Sequence, residues 1–372
     1  MCGMCASHCP TYQLDADENE SPRGRISLMR GLASGQLQAH ETSLSHLDHC
    51  LLCRSCEKKC PSGVSYAQIY NLSQQHLSRS SAGEQHLLNL AQQRKPRQRL
   101  LVLARLAQKL GLTLFPVGQH LRTALNLLPR PLSPSFKQFR QQPQASVALF
   151  TGCANESFDA QSLQACLEIL TACGLEVSVP PQQSCCGALA QHAGQTERFS
   201  QLQQINSAAF EASQTLLYLA TGCGATLKDY PSDFACRTIE ACHFISQLDS
   251  FRQLKLRPLN KTVAIHQPCS QRNVVGNGQA TQQLLQHIPG IQLLTPGTPN
   301  CCGAGGSNML SQPDIATQLG QLTLDALLAS RPDYLVSTNI GCALHLGAQL
   351  RQRGLDIELL HPLVLIQRQL EH

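Results

Sequence analysis

The chain has 372 residues, 42% of them hydrophobic, and a formal net charge of +5. This length allows two or three domains, and the mild charge and 4% aromatic content argue against a nucleic-acid partner. Nineteen cysteines without an evident signal peptide indicate metal sites in a reducing cytoplasm rather than a secreted disulfide framework. No window approaches the roughly 20 apolar residues needed to cross a bilayer, so any membrane association is expected to be peripheral.

The most informative motif lies in the first sixty residues or so. The spacing C-x2-C-x2-C-x3-C-P, which binds cubane iron–sulfur clusters in bacterial ferredoxins, is formed by Cys50, Cys53, Cys56, Cys60 and Pro61. In such a motif three closely spaced thiolates bind one cluster, and the fourth reaches a neighbouring cluster. The motif therefore predicts electron transfer and a second copy nearby.

A shortened copy begins the chain. The last three cysteines and the proline of the pattern are matched by Cys2, Cys5, Cys9 and Pro10. The first cysteine would precede Met1, so we expect either a natural start further upstream, which we favour, or a cluster with three protein ligands. Paired motifs of this type exchange their fourth ligands. The sequence thus predicts two [4Fe-4S] clusters, one on Cys9, Cys50, Cys53 and Cys56, the other on Cys2, Cys5, Cys60 and an upstream cysteine.

Four segments follow from the residue pattern. Residues 1–78 contain both motifs and predict a ferredoxin-like domain. Residues 79–142 predict amphipathic helices and then a proline-rich linker. The basic run at 94–99 is expected to be solvated, with docking of a partner or an anionic membrane as alternatives. Residues 143–257 and 258–372 alternate short apolar runs with helical patterns, which is typical of α/β units.

The last two segments repeat one pattern. Buried strands are predicted at residues 147–150 and 263–265, and each is followed by a cysteine. In both copies 31 residues lie between this cysteine and a Cys-Cys-Gly triplet. A helical stretch, another strand and a Gly-Cys pair follow in each copy. The equal spacing predicts a duplication, with the two lobes facing each other across a pseudo-two-fold axis. The expected fold is α+β and multidomain: a helical two-cluster ferredoxin-like domain followed by two duplicated α/β cysteine-rich lobes.

Each lobe contributes four cysteines to a further candidate site. Gly187 and Gly303 allow turns that gather the adjacent cysteine pairs, and helix N-termini are expected to lower the pKa of nearby thiols. We expect an additional iron–sulfur centre here, and leave open reduced core thiols, a redox disulfide, or zinc. The cysteines are Cys153, Cys185, Cys186 and Cys223 in the first lobe, and Cys269, Cys301, Cys302 and Cys342 in the second.

Other residues near these motifs have simpler interpretations. Cys166 and Cys173, one heptad apart, are expected to be buried small hydrophobes. His266 is either a ligand or proton donor, or a strand-end histidine with a structural hydrogen bond, which we favour. The glycine-rich run at 303–307 lacks the lysine and spacing of a phosphate loop, and is interpreted as compact backbone near a metal centre. No catalytic residue is assigned, and substrate oxidation would need a flavin or nicotinamide partner.

The order of these motifs resembles the iron–sulfur subunit family of bacterial glycolate oxidase (glycolate dehydrogenase) over nearly the whole chain. The matching motifs are residues 9–12, 21–26, 50–57, 60–64, 152–154, 185–188, 222–225, 301–303 and 339–342. The resemblance implies partner subunits that carry FAD, electron flow from glycolate to a quinone or similar acceptor, and peripheral association with the cytoplasmic face of the inner membrane. It also implies two [4Fe-4S] clusters on Cys2, Cys5, Cys9, Cys50, Cys53, Cys56 and Cys60.

One departure distinguishes the chain from relatives that reduce heterodisulfides and end each repeat in Cys-x-x-Cys. Here Thr226 follows Cys223 by three residues, and His345 follows Cys342 by three. This argues against a thiol–disulfide catalytic centre and favours a relay or structural role. The alternatives kept are the corresponding subunit of anaerobic glycerol-3-phosphate dehydrogenase, a self-sufficient thiol–disulfide reductase and a zinc-stabilised interaction module.

Overall fold

The computed structural model describes residues 2–77, 90, 92–109, 126–128, 145–297 and 301–371. The leucine-rich stretch predicted before residue 90 and the proline-rich part of the linker lie outside these residues. Within the described ranges, no helix is both long and apolar enough to cross a bilayer. All cysteines of the chain are free thiols.

Short helices and loops build the N-terminal domain. The helices are α1 (Pro10–Asp15), α2 (Pro22–Ala33), α3 (Glu41–Asp48), α4 (Ser55–Lys58) and α5 (Tyr66–Leu77), with 3-10 turns at Ala6–His8 and Glu18–Glu20. Helix α2 begins where the Ser21 Oγ accepts a hydrogen bond from the Gly24 backbone N–H (3.0 Å), and Pro22 occupies its first turn. An apolar core joins α2, α3 and α5, and is formed by Met29, Leu44, Leu47, Tyr66 and Tyr70.

The linker helix α6 (Arg94–Lys109) is anchored to the first lobe. Arg97 is only 8% exposed; its Nε donates to Ser157 Oγ (2.7 Å) and its Nη2 to Glu156 Oε2 (2.8 Å). Arg94 forms a second ion pair with Glu156. The expectation that this basic run is solvated is therefore wrong for Arg97, which is buried against the Glu156 carboxylate, whereas the Arg94 side chain is 39% exposed.

Each lobe contains a four-stranded parallel sheet, and the two sheets have equivalent strand orders. The first sheet has the order β2–β1–β3–β4 and the second the order β6–β5–β7–β8. The two strands predicted in each lobe are present as β1, β3, β5 and β7, and four further strands complete the sheets. The strands are β1 (Val147–Phe150), β2 (Val177–Ser178), β3 (Thr215–Tyr218) and β4 (Thr238–Glu240), then β5 (Thr262–His266), β6 (Gln292–Leu294), β7 (Tyr334–Ser337) and β8 (Glu358–Leu360).

Helices connect the parallel strands, because such strands need a crossover rather than a tight turn. The first lobe has α7 (Cys153–Phe158), α8 (Ala160–Ala172), α9 (Ala188–His192), α10 (Thr196–Ala209), α11 (Thr221–Leu227), α12 (Ser232–Ala235), α13 (Ala241–Ser246) and α14 (Asp249–Arg252). The second lobe has a π-helical turn (Gln271–Val275), α15 (Ala280–Leu285), α16 (Asn308–Ser311), α17 (Pro313–Leu328), α18 (Ile340–Gln352) and α19 (Pro362–Gln369).

The two lobes pack against each other reciprocally. Helix α8, which follows β1, packs on α19 at the end of the second lobe, and α15, which follows β5, contacts α13 at the equivalent position of the first. Equivalent helices of the two lobes thus make reciprocal contacts. One apolar core, which includes Val147, Leu149, Val263 and Ile265, runs through both lobes.

The opposite face of each sheet covers the cysteines, since side chains alternate along a strand. In the first lobe Ala148 and Phe150 lie in a core with Cys185 and Cys186. In the second lobe, Ala264 lies in a core that contains Cys302 and Cys342. Each lobe therefore has one face for its partner lobe and one for its cysteine site.

Candidate metal centres

The N-terminal cysteines lie on tight loops that bring their thiols together. Leu52 (φ 45°) and Arg54 (φ 56°) adopt left-handed backbone conformations, which turn the chain sharply on either side of Cys53. Cys9 is the residue that precedes α1, and Cys56 lies in α4. The sequence pattern thus folds as a wrapping loop rather than as an extended strand.

These cysteines form two groups. Cys9, which is buried, lines one cavity together with Cys50, Cys53 and Cys56 of the second motif. The other group forms around Cys5, whose thiol interacts electrostatically with the thiols of Cys2 and Cys60. Both groups combine cysteines of the two motifs.

The thiols of the first group are unfavourably placed as free anions. Burial raises the pKa of Cys53 and of Cys56, and repulsion by neighbouring thiolates raises both further. Such thiols release their protons when a metal cation neutralises them. Four thiols around one cavity match the donor set of a [4Fe-4S] cluster, so the residues present fit that group.

The lobe cysteines form two equivalent rows. In the first lobe Cys153 Sγ lies 3.4 Å from Cys185 Sγ, and the Cys186 and Cys223 thiols are joined by a hydrogen bond. In the second lobe the corresponding distances are 3.8 Å from Cys269 to Cys301 and 3.0 Å from Cys302 to Cys342, between the Sγ atoms. Gly187 and Gly303 both have φ 87°, which confirms the predicted turn beside each adjacent pair.

The expected lowering of the thiol pKa in the lobes is wrong. Cys153 begins α7, as the sequence suggested, but the hydrogen bond with Cys185 and then burial raise the pKa of Cys153. The hydrogen bond with Cys301 and then burial do the same for the pKa of Cys269. Loss of hydration and shared protons outweigh the dipole of a short helix here. A bound cation would be needed to keep Cys153 or Cys269 deprotonated.

The two rows have different surroundings. Phe150 and Tyr218 end β1 and β3 in the first lobe, whereas His266 and Ser337 end β5 and β7 in the second. His266 Nδ1 bonds to Ser337 Oγ (3.0 Å), which confirms the predicted structural hydrogen bond. The ligand-type atoms of His266, Cys302 and Cys342 also lie within 4.8 Å of one another. Burial lowers the pKa of His266 to about 3, so this imidazole is neutral.

The N-terminal domain contacts the second row directly. Leu51 and Cys53 lie in one apolar cluster with Cys269 and Cys301. Asn273 Nδ2 donates to the Cys53 carbonyl oxygen (2.8 Å) and fixes this contact. A Cβ on Gly305 would lie 3.1 Å from the Leu51 Cα, so the glycine-rich run provides room for the loop that carries the N-terminal cysteines.

Two cysteines outside the rows lie in the apolar core, and two residues beside the N-terminal cysteines were not predicted from the sequence. Cys166 and Cys173 lie in the core shared by the lobes, which confirms their assignment as buried hydrophobes. Sequence analysis did not identify Tyr66, whose hydroxyl donates to Cys50 Sγ (3.5 Å), or Arg25, whose Nη1 donates to Cys9 Sγ (3.7 Å). Only the quoted motif at residues 21–26 pointed toward Arg25.

Comparison with known proteins agrees with this organisation. A family model described as a cysteine-rich domain matches residues 147–228 and 263–347, and a model described as a 4Fe-4S dicluster domain matches residues 1–64. Lactate utilization protein A of Macrococcus caseolyticus is 28% identical over 60% of this chain and 97% of its own length.

Two relatives match almost the whole chain. The glycolate oxidase iron-sulfur subunit of Escherichia coli is 29% identical over 93% of this chain and 88% of its own length. The probable glycolate oxidase iron-sulfur subunit of Bacillus subtilis is 30% identical over 95% of this chain and 89% of its own length. The chain therefore belongs to the family of glycolate oxidase iron–sulfur subunits.

Proposed function

We propose that this chain is the electron-transfer subunit of a flavin-dependent glycolate dehydrogenase complex. It relays electrons from partner subunits that carry FAD to a quinone or similar acceptor. Family membership and the 4Fe-4S domain support this function. Oxidation of the 2-hydroxy acid is assigned to the partner, because the cysteine chemistry of this chain transfers electrons rather than hydride.

The observation that carries the proposal is the meeting of Cys9 with Cys50, Cys53 and Cys56 around one cavity. It supports a [4Fe-4S] cluster on these four cysteines, and a second cluster on Cys2, Cys5, Cys60 and a further ligand. Bound clusters of this type accept and release single electrons. The chain's own part is to bury the sulfur ligands, exclude water and direct the Tyr66 hydroxyl at Cys50.

A further centre on the second-lobe row would extend the relay. The apolar contact of Cys53 with Cys269 and Cys301 supports this route, since it places the second row beside the N-terminal site. The neutral His266 adds a nitrogen donor next to Cys302 and Cys342. In the first lobe Phe150 lies at the equivalent position, so the two rows are proposed to differ in metal affinity.

The domain limits and the location belong to the same proposal. We assign residues 1–78 to the ferredoxin-like domain, 79–142 to the linker, and 143–257 and 258–372 to lobes that arose by duplication. Equivalent strand orders and reciprocal helix packing support the duplication. A cytoplasmic location is supported by the many free thiols, which suit a reducing compartment. The peripheral position on the inner membrane is assigned from the family resemblance alone.

Metal analysis of anaerobically purified protein tests the function. We expect about eight irons for two cubane clusters, with matching acid-labile sulfide and EPR signals after dithionite reduction. Additional iron would support a centre in the lobes. A colourless protein with zinc and no sulfide, despite competent cluster assembly, would overturn the relay function.

Single cysteine variants test the crossed ligand assignment. Cys9→Ser and Cys56→Ser should abolish the same EPR signal and about four irons each. Cys5→Ser should abolish the other signal, and the buried control Cys166→Ser should abolish neither. If Cys9→Ser instead removed the signal that Cys5→Ser removes, the crossed assignment would be wrong.

A further inference from the structure

Arg25 is the largest fully buried side chain among the described residues, with 1% exposure. It lies one turn after the Ser21 cap of α2, within the motif at residues 21–26, for which the proposed relay gives no role. Burying an arginine in a small domain is unfavourable unless every donor and the charge are compensated. Its surroundings therefore reveal what the position is for.

All five N–H groups of the guanidinium have acceptors. Nε donates to the His46 carbonyl oxygen (2.6 Å), and Nη2 donates to Thr11 Oγ1 (3.0 Å) and to Glu20 Oε2 (2.5 Å). Nη1 donates to the Glu20 carbonyl oxygen (2.5 Å) and to Cys9 Sγ (3.7 Å). The orientation of the group is thus fully determined, and one N–H is directed at a sulfur of the candidate cluster site.

The positively charged guanidinium of Arg25 contacts both the Glu20 carboxylate and the Cys9 sulfur. Burial disfavours the charge, and the Glu20 carboxylate compensates it through its ion pair with Nη2 (2.5 Å). The Glu20 carboxylate also accepts hydrogen bonds from the Nδ1 atoms of two histidines. These histidines are His46 (2.6 Å) and His49 (2.8 Å).

We propose that Arg25 raises the reduction potential of the cluster bound by Cys9, Cys50, Cys53 and Cys56. This inference rests on the proposed function, in which these four cysteines hold a [4Fe-4S] cluster. Reduction adds one negative charge to the cluster, and a fixed cation beside a sulfur ligand stabilises the reduced form more than the oxidised form. Burial strengthens the effect, because water does not screen the charge.

Removing the charge of Glu20 should shift the reduction potential in the direction opposite to removing that of Arg25. The Glu20 carboxylate partly offsets the Arg25 charge, so removing it leaves the cation stronger at the cluster. Arg25→Gln should therefore lower the potential of this cluster, whereas Glu20→Gln should raise it. Damage to the fold would not shift one potential in two directions, which separates the electrostatic role from a structural one.

The experiment is a redox titration of the full chain, followed by EPR, with the potential of each cluster as the readout. We expect Arg25→Gln to lower the potential by at least about 59 mV, a tenfold change in the one-electron equilibrium constant. Arg25→Lys keeps the charge and should retain most of the potential. Arg30→Gln removes the same charge from the exposed side of the same helix and should change neither cluster.

Iron and sulfide content keep the two proposals apart. If the unaltered protein lacks clusters, the proposed function fails before Arg25 is tested. If Arg25→Gln cannot be loaded with iron, the other two variants decide the outcome. Glu20→Gln should still raise the potential of the cluster, and Arg25→Lys should retain most of it. Fully loaded Arg25→Gln and Glu20→Gln variants whose potentials match the parent, or shift in the same direction, would overturn the role of Arg25.

Discussion

Cys53 of the N-terminal domain and Cys301 of the second lobe lie in one apolar cluster, together with Leu51 and Leu319. The two thiols are close enough for their charges to interact. Cys301 in turn forms a hydrogen bond with Cys269 and is adjacent in sequence to Cys302. Cys53 is therefore in direct contact with the second-lobe row. In the proposed relay, an electron on the N-terminal site would reach this row without crossing the first lobe.

This contact predicts that Cys301→Ser interrupts the relay. After dithionite reduction, we expect the N-terminal clusters of the variant to be reoxidised by a quinone analogue at least tenfold more slowly, because the next carrier is lost. Stopped-flow absorbance in the visible band of the clusters measures the rate. The exposed Cys236 provides the control Cys236→Ser, which should react like the parent. Parent-like reoxidation in Cys301→Ser would contradict the route.

The glycine turns of the two rows should differ in their tolerance of a side chain. In Gly303→Ala the new Cβ would lie 2.6 Å from the Ala316 carbonyl oxygen, whereas in Gly187→Ala it would meet the movable side chain of Phe199. Gly354 has positive φ with open space around it, so Gly354→Ala should cost only about 1–2 kcal/mol. We expect Gly303→Ala to cost about 3 kcal/mol or more and Gly187→Ala an intermediate amount, by denaturant unfolding. Equal costs at the three positions would show that backbone obstruction does not matter here.

Anchoring of the linker helix depends on the buried ion pair between Arg97 and Glu156. Arg97→Ala should destabilise the first lobe by about 3 kcal/mol, because it leaves the carboxylate with one partner fewer and a desolvated site. Denaturant unfolding and the rate of tryptic cleavage within α6 measure the effect. Arg99→Ala, two residues along and exposed, should leave both unchanged. Similar results for the two variants would mean that the pair does not anchor the helix.

Acid should destabilise the protein through His361, the buried cap of α19. Its Nδ1 accepts a hydrogen bond from the Leu363 backbone N–H (3.3 Å), and burial lowers the pKa of His361 to about 4. The folded state binds a proton at His361 less readily than the unfolded state does. The contribution of the neutral imidazole to the free energy of unfolding is therefore complete above about pH 6.5 and is lost as pH falls toward 4. His361→Asn keeps a capping side chain and should flatten the acid limb of the stability profile.

The matched control for this pH dependence is His40→Asn, the same substitution at the exposed cap of α3. We expect its acid limb to keep the parent slope, as followed by unfolding midpoints between about pH 4 and 7. An unchanged slope in His361→Asn would assign the acid sensitivity to other groups.

Much of the fold could be predicted because it depends on local pattern. The apolar runs that became β1 and β5, and the turns at Gly187 and Gly303, are properties of a few neighbouring residues. The proximity of Cys9 to the second motif also agrees with the spacing, which predicts an exchange of ligands that stays a proposal. By contrast, the basic run of the linker contains Arg97, whose burial depends on a carboxylate in another segment.

The sequence by itself determined the cysteine spacings, two strands in each lobe and hence the class of chemistry, because spacing along the chain sets which ligands a loop can present. Only the tertiary structure decided that Cys53 faces Cys301, that Arg25 points at Cys9 and that His266 replaces an aromatic ring beside one row. It also reversed the expected direction of the thiol pKa shifts in the lobes. These properties depend on burial and on distances between remote segments, which packing creates and no local pattern contains.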